Sequence, residues 1–499
     1  MSFPPDTAVH ATPHGVGTGP DQGRRAQHHW VLVVLGMAQL MVVLDATIVN
    51  IALPSAQHAL GFSNADRQWV VTAYSLTFGG LLLLAGRLAD LIGRKRTFLI
   101  GLVGFAAVSA IGGASNGFVM LIAARACQGA FGALLAPSAL SLLTTTFTEA
   151  KERSEAFGIY GAIAGAGGAV GLLLGGVLTE YLDWRYCLYV NVVFAILAGI
   201  GGSIVLRDQQ RPERSALDLP GTLTAVGGLA ALVYGFSEAS TKSWSNGITI
   251  GLLVAAVVLL ASFVVIERRA SHPLLPLRLV ADRGRGGSNL AMLLTGVAMF
   301  GVFLFLTYYL QQILRYSPVM TGVAFLPMLG VVMAAATVGG TFLLPRIGPR
   351  PLIVAGLAIA GVGMVWMSGI SVHSAYASDV LPPLLVVGLG MGSVFGAAMN
   401  VATAGASIED AGVASALPNV AQQIGGALGP ALLNTIFTSA AASYLAGRRP
   451  TPTLEALASV HGDTTAFVVV YVILFASAVL SAFVLPGGRV EASHHTIAI

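Results

Sequence analysis

The sequence predicts an all-α polytopic membrane protein with fourteen transmembrane helices, and three observations carry that prediction. Only 10% of the 499 residues are charged and 55% are hydrophobic, whereas roughly a quarter of a soluble globular chain is charged. Mean hydropathy is +0.80. The apolar residues gather in long blocks such as Trp30–Leu44 and Leu252–Ile266, near the ~20 residues that cross a ~30 Å hydrocarbon core.

Cutting wherever charges and Pro/Gly clusters interrupt these blocks gives spans at about 30–53, 68–86, 97–115, 118–146, 156–178, 186–206 and 219–238, then 248–267, 289–310, 318–345, 351–371, 380–404, 413–441 and 464–485. An even number of spans puts both termini on one side. With the N-terminus inside, 19 of the 26 Lys and Arg residues fall in tails and inner loops and 6 in outer loops, while Arg125 lies within a span. Basic residues accumulate on the cytoplasmic side, so both termini are expected there and the protein in a cell membrane. Residues 1–29, rich in Pro, His and Gly, read as a disordered cytoplasmic tail. They lack the order of a signal peptide, because the apolar stretch behind them runs on to Leu53 with no small-residue cleavage site.

Two longer polar connections, Arg207–Asp218 and Arg268–Ser288, bracket a central pair of spans. They divide the chain into a six-helix half at 30–206, a segment of linkers and two extra helices at 207–288, a second six-helix half at 289–485 and a cytoplasmic tail at 486–499. A weak repeat links the halves: Ile92-Gly93 beside Arg94 and Lys95 corresponds to Ile347-Gly348 beside Arg346 and Arg350.

Charge placement narrows the function. The basic side chains are 23 Arg and 3 Lys, but they form short clusters between apolar blocks rather than one basic face, so nucleic acid is not an expected partner. No Gly-Lys-Ser/Thr phosphate loop and no His-Glu-x-x-His occurs, which speaks against ATP hydrolysis by this chain and against metal catalysis. Cys127 and Cys187 stand far apart, without a paired-ligand or disulfide pattern.

Asp45 reads as the one acidic residue deep inside an apolar span. A carboxylate there costs on the order of 2.5–3.5 kcal/mol, so it requires a partner or an aqueous cavity. Arg125 is the one comparably deep base. Counting ~1.5 Å per residue, Asp45 lies ~5 Å and Arg125 ~10 Å to the outer side of their midpoints, within reach of a long arginine. A change in their separation would move the carboxyl between loading and releasing a proton. The alternatives are a polar fastener between helices and a static counter-ion.

The loop Gly86-Arg87-Leu88-Ala89-Asp90-Leu91-Ile92-Gly93-Arg94-Lys95-Arg96 has glycines seven apart, an acid midway and three consecutive bases. It resembles the signature between the second and third helices of the major facilitator superfamily. Leu44–Pro54, Gln68–Tyr74 and Arg125-Ala126-Cys127-Gln128-Gly129 resemble motifs of that superfamily's fourteen-helix drug:proton antiporters. The resemblance implies two six-helix halves plus two inserted helices, alternating access, and export of hydrophobic, possibly cationic, drugs driven by a proton gradient with no cofactor. It also implies proton exchange at Asp45 assisted by Arg125, and a gate at Gly86, Asp90, Gly93, Arg94 and Lys95 in which Asp90 and Arg94 hold the halves together. In the fifth span Gly161, Gly165, Gly171, Gly175 and Gly176 read as a packing face, as do Gly429 and Pro430 later. The family's antiporter motif usually has a proline where Leu172 stands, a departure that leaves this helix straighter.

Tyr74, Phe78, Gln128, Tyr160, Tyr308, Gln311 and Asn400 are the polar and aromatic candidates for a substrate cavity. The expected partners are the lipid bilayer, protons and a small hydrophobic substrate, with the chain acting as a monomer. The same fold exporting an endogenous metabolite or lipid is the nearest alternative, and a membrane-bound lipid-linked transferase a remote one. Arg in place of Lys, with abundant Ala and Gly, suggests a GC-rich bacterial source.

Overall fold

The computed structural model describes residues 20–206, 218–271, 273–403, 411–449 and 451–487. The N-terminal half comprises α1 (Pro20–Leu60), α2 (Trp69–Ile92), α3 (Arg94–Gly113), α4 (Phe118–Thr146), α5 (Ala150–Tyr181) and α6 (Tyr186–Val205). The inserted pair α7 (Leu219–Thr241) and α8 (Gly247–Arg269) follows, and short α9 (Leu277–Ala281) leads into the second half. That half comprises α10 (Arg283–Tyr308), α11 (Pro318–Val338), short α12 (Leu344–Ile347), α13 (Pro349–Met367), α14 (Leu381–Thr403), α15 (Ala411–Leu445) and α16 (Pro452–Val484). Single π-turns at Tyr309–Ile313, Gly339–Leu343 and Tyr376–Val380 extend α10 and α11 and precede α14. Among the described residues, 14 helices are long and apolar enough to cross a membrane.

Capping side chains set several helix starts by satisfying amide groups that lack an intrahelical partner. Asp218 accepts from the Gly221 amide at 2.8 Å, Asn246 from Ile248 at 2.9 Å and Asp282 from Arg285 at 2.9 Å. Thr451 caps α16 by accepting from the Leu454 amide at 3.2 Å, with Pro452 behind it. The last helix therefore begins about three turns before the span expected from 464, because caps and not hydropathy mark its start. The expectation of disorder over 1–29 also needs correction. Helix α1 already begins at Pro20, while 1–19 lie outside the described residues, as do 207–217 of the first linker and 488–499 of the C-terminal tail.

The two halves repeat one packing scheme. In the first, α1 packs on α5 and α6, α2 on α4, and α3 on α4 and α6; in the second, α10 packs on α15 and α16, α11 on α14, and α13 on α14 and α16. The halves meet along a seam of α2 against α15 and α5 against α11, and α7 lies across α2 and α15 with α8 behind it. The faint sequence repeat has a structural counterpart. Gly93 (φ 99°) and Gly348 (φ 81°) both turn the chain with left-handed backbone, and each amide bonds back four residues, to Ala89 at 3.1 Å and Leu344 at 3.0 Å. A Cβ on Gly93 would touch nothing within 4 Å, so backbone conformation rather than space calls for glycine there.

Candidate functional site: a buried carboxylate and a latched seam

Asp45 sits on α1, fully enclosed. Its Oδ2 accepts from Arg125 Nη1 of α4 at 2.6 Å, and its Oδ1 accepts from Asn191 Nδ2 of α6 at 2.7 Å and Gln128 Nε2 at 3.2 Å. Arg125 also donates from Nε to the Val70 carbonyl of α2 at 3.1 Å and from Nη1 to Gln128 Oε1 at 2.8 Å, and its guanidinium lies 4.4 Å from the Tyr74 ring centroid. Gln128 Nε2 reaches Ser109 Oγ of α3 at 2.7 Å. Five of the six helices of the N-terminal half thus converge on one carboxylate. Each carboxylate oxygen is satisfied by at least one donor, the condition for keeping a charge inside a protein.

Glycines let α5 press against this stretch of α1. A Cβ on Gly171 would collide with Thr47 and the Leu44 carbonyl, one on Gly175 would lie 2.8 Å from Ile48 Cγ1, and one on Gly176 would lie 2.7 Å from the Pro318 carbonyl of α11. Gly165 faces Met333 of α11 at 3.3 Å, and Gly429 packs on Val297 of α10 beside Pro430 within α15. Gly161 departs from the expected packing face: a Cβ there would meet nothing within 4 Å, because α5 and α11 have separated by that level. The seam is closed at the end carrying loop 61–68; toward the other end α5 and α11 draw apart, while α15 still packs on α2 through Ala416 and Val420.

Polar bonds across the seam hold the closed end. Tyr308 Oη donates to Gln57 Oε1 at 2.6 Å, Gln311 Nε2 to the Ile51 carbonyl at 3.0 Å, and the Val319 amide to Glu180 Oε2 at 2.9 Å. Arg67, on the loop between α1 and α2, donates from Nε to Asn434 Oδ1 of α15 at 3.1 Å, while Asn434 Nδ2 donates to Gln68 Oε1 at 2.5 Å. The Arg67 guanidinium stands 4.1 Å from the Tyr308 ring, 4.4 Å from Phe437 and 5.4 Å from Phe305. Burial pulls its pKa below the ordinary arginine value, an effect that Tyr308 and Asp463 of α16 offset in part.

The cavity candidates divide. Tyr74 and Gln128 belong to the Asp45 cluster, and Phe78 stacks on Tyr74 at 5.7 Å. Tyr308 and Gln311 are seam bonds rather than midplane groups. Tyr160 donates to Gln39 of α1 at 2.7 Å, and Asn400 is exposed near the end of α14, donating to its own helix at Gly396. The expected Gly86–Arg96 loop is helical except at Gly93, and Asp90 of α2 pairs with Arg94 of α3 at 3.7 Å within the N-terminal half, while Gly86 packs loosely near Pro137. Lys95 Nζ donates to the carbonyls of Ser203 at 3.0 Å and Leu206 at 2.5 Å, and Arg87 to the Pro273 carbonyl at 3.1 Å. The segment is therefore tied both to the end of α6 and to the linker entering the second half.

Sequence reasoning missed Asn191 and Ser109, and it missed a second deep acid. Asp463 lies eleven residues into α16 and is buried, as is Arg67, so Asp45 and Arg125 are not the only enclosed charges. Glu238 pairs with Lys242 at 2.9 Å, and Asp379, in the π-turn before α14, accepts from the Ala375 amide at 2.8 Å.

The model of the Major Facilitator Superfamily matches residues 35–430. The chain belongs to that superfamily. It is 49% identical to a puromycin resistance protein of Streptomyces alboniger over 99% of this chain and 98% of that one. It is 41% identical to a cephamycin export protein of Amycolatopsis lactamdurans, over 90% and 91% of the two chains, and 35% identical to a tetracenomycin C resistance and export protein of Streptomyces glaucescens, over 87% and 80%. The fold matches an auto-inhibited peptide transporter of the POT family with TM-score 0.67 at 15% identity, covering 93% and 98% of the two chains. The all-α, fourteen-helix major facilitator fold expected from the sequence is the fold observed.

Proposed function

We propose that this protein exports hydrophobic antibiotics or related natural products across the cell membrane in exchange for protons, with Asp45 as the coupling carboxylate. The observation that carries the reading is the carboxylate of Asp45, enclosed in the membrane-spanning core and held by Arg125, Asn191 and Gln128. Its similarity to a puromycin resistance protein, a cephamycin export protein and a tetracenomycin C resistance and export protein supports an antibiotic as cargo.

Protonation of Asp45 removes the charge that holds Arg125, which keeps the Val70 carbonyl, Gln128 Oε1 and the Tyr74 face as weaker partners. Helix α1 is then held to α4 and α6 only by the weaker bonds that a neutral carboxyl makes. The same helix carries Ile51 and Gln57, which bond to Gln311 and Tyr308 across the seam, so a shift of α1 at the carboxylate is passed to the closed end. With basic loops in the cytoplasm the closed end is the outer one, and the conformation described is open inward. Binding energy differences between the two orientations, rather than any cofactor, do the work in such a cycle. The bilayer, protons and one small substrate suffice for a single copy of the chain.

Susceptibility of cells with and without the protein, across nucleoside, β-lactam and polyketide antibiotics and native metabolites, tests the cargo. Reconstituted vesicles test the coupling: a pH gradient, acid on the side opposite the substrate-loading face, must drive substrate uphill. Equal susceptibility to all three antibiotic classes, with transport of an endogenous lipid instead, would assign the fold to metabolite export.

A further inference from the structure

Among the described residues two arginine–aspartate pairs are buried, and they are built differently. In the first, Arg125 and Asp45 close to 2.6 Å with two further donors on the carboxylate. In the second, Arg67 and Asp463 lie close enough to interact electrostatically, yet both Asp463 oxygens and Arg67 Nη2 are buried with no hydrogen-bond partner among the described residues. A carboxyl sealed from water with no donor on either oxygen is far less costly neutral than ionised, because burying a charge without hydrogen bonds is among the costliest states.

The surroundings supply no other partner for a charge. Helices α10, α13 and α15 and the π-turn at Tyr309 pack against α16. From them the titratable group that interacts with Asp463 is Tyr309, whose hydroxyl donates to the Ser371 carbonyl at 2.6 Å; among the described residues no charged side chain of α13 or α15 interacts with it. On its own helix, His461 stacks with Tyr444 at 5.2 Å on the exposed side. Arg67 is the one charged group among the described residues that interacts with it, and Arg67 comes from the opposite half.

We infer that Asp463 is a second proton-binding site, placed at the closed end of the seam and filled when the seam closes. Closing inserts Arg67 into the box of Tyr308, Phe437, Phe305 and Asn434 and shuts Asp463 away from water. Opening withdraws Arg67 with its half and returns the carboxyl to water, where it ionises and releases the proton to the side it came from. The site therefore does not carry protons through the membrane. It makes acid on that side favour closure, the step that resets an exporter after it has released its cargo. The inference deepens the proton-coupled reading of the seam, but its readout is a conformational equilibrium and not transport.

Nitroxides at Leu182→Cys and Arg449→Cys, in a Cys127→Ser background with Cys187 buried, report the opening of this end in full-length protein in lipid nanodiscs. Closure that takes up one proton is favoured at low pH and lost as pH rises, with a closed-to-open ratio that changes by at most about tenfold per pH unit. Asp463→Asn should abolish that slope and keep the seam closed at high pH, and Asp463→Glu should restore it. Both are read in an Asp45→Asn background, which removes the coupling site's own contribution to the slope. A slope unchanged by Asp463→Asn, or absent from the Asp45→Asn background itself, overturns the inference. Should Asp463→Asn fail to insert, Arg67→Gln decides: removing the positive charge must extend the pH-dependent range upward, and an unmoved range refutes the site.

Discussion

Replacing Asp45 with Asn removes one charge and almost no volume, so its effect can be worked out from the cluster. Asn offers one carbonyl oxygen where the carboxylate offered two, and its amide nitrogen would face either Arg125 Nη1, now at 2.6 Å, or Asn191 Nδ2, now at 2.7 Å. One donor therefore meets another, and the buried guanidinium loses its anion. Removing one member of a buried pair costs about 3–5 kcal/mol. Arg125 retains the Val70 carbonyl, Gln128 and the Tyr74 face, which puts the expected loss toward the lower figure. At about 1.4 kcal/mol per decade that is a shift of roughly two powers of ten in any equilibrium that depends on the pair. In proteoliposomes with an imposed pH gradient the variant should bind substrate and exchange it downhill, yet fail to concentrate it. The double variant Asp45→Asn/Arg125→Gln, which removes charge and counter-charge together, should recover thermal stability without recovering coupling. Uphill transport by Asp45→Asn would refute the assignment of this carboxylate.

Three further outcomes are expected. Asp90→Ala, which removes the 3.7 Å partner of Arg94 at one end of the molecule, should slow turnover while leaving equilibrium substrate affinity within about twofold; initial-rate and binding measurements on one preparation separate the two. Tyr308→Phe and Gln311→Leu each delete one bond across the seam, worth about 0.5–1.5 kcal/mol, so spin-label distances should show the closed-to-open ratio falling by up to about tenfold for each. Gly93→Ala places a side chain at φ 99°, at a cost of about 1–2 kcal/mol, and should lower the unfolding midpoint although nothing crowds the new methyl.

The fourteen helices and the Asp45–Arg125 pair were legible in the sequence because hydropathy and depth are nearly the same quantity in a membrane. A count of 1.5 Å per residue was enough to set one side chain opposite the other. Asn191 was equally deep but carries no charge, and an amide in an apolar span does not announce itself as a carboxylate does. Arg67 was hidden by the rule that loops face water, which fails where the opposite half supplies three aromatic rings and an amide. Asp463 was hidden by a hydropathy cut that began the last span one residue after it. Thr451 and Pro452 start that helix instead, and no window average weighs a cap. The cross-half pairings of Tyr308 and Gln311 depend on which faces meet at the seam, which no single-span pattern encodes.

All three donors to Asp45 come from the same half of the molecule, and so do the remaining partners of Arg125. The Asp45 cluster is thus self-contained among the described residues, and helices α1, α2 and α5 carry its contacts with the second half. A hybrid that joins residues 1–206 of this chain to the second half of a relative would inherit the cluster whole, and only the seam would have to be matched between the parents.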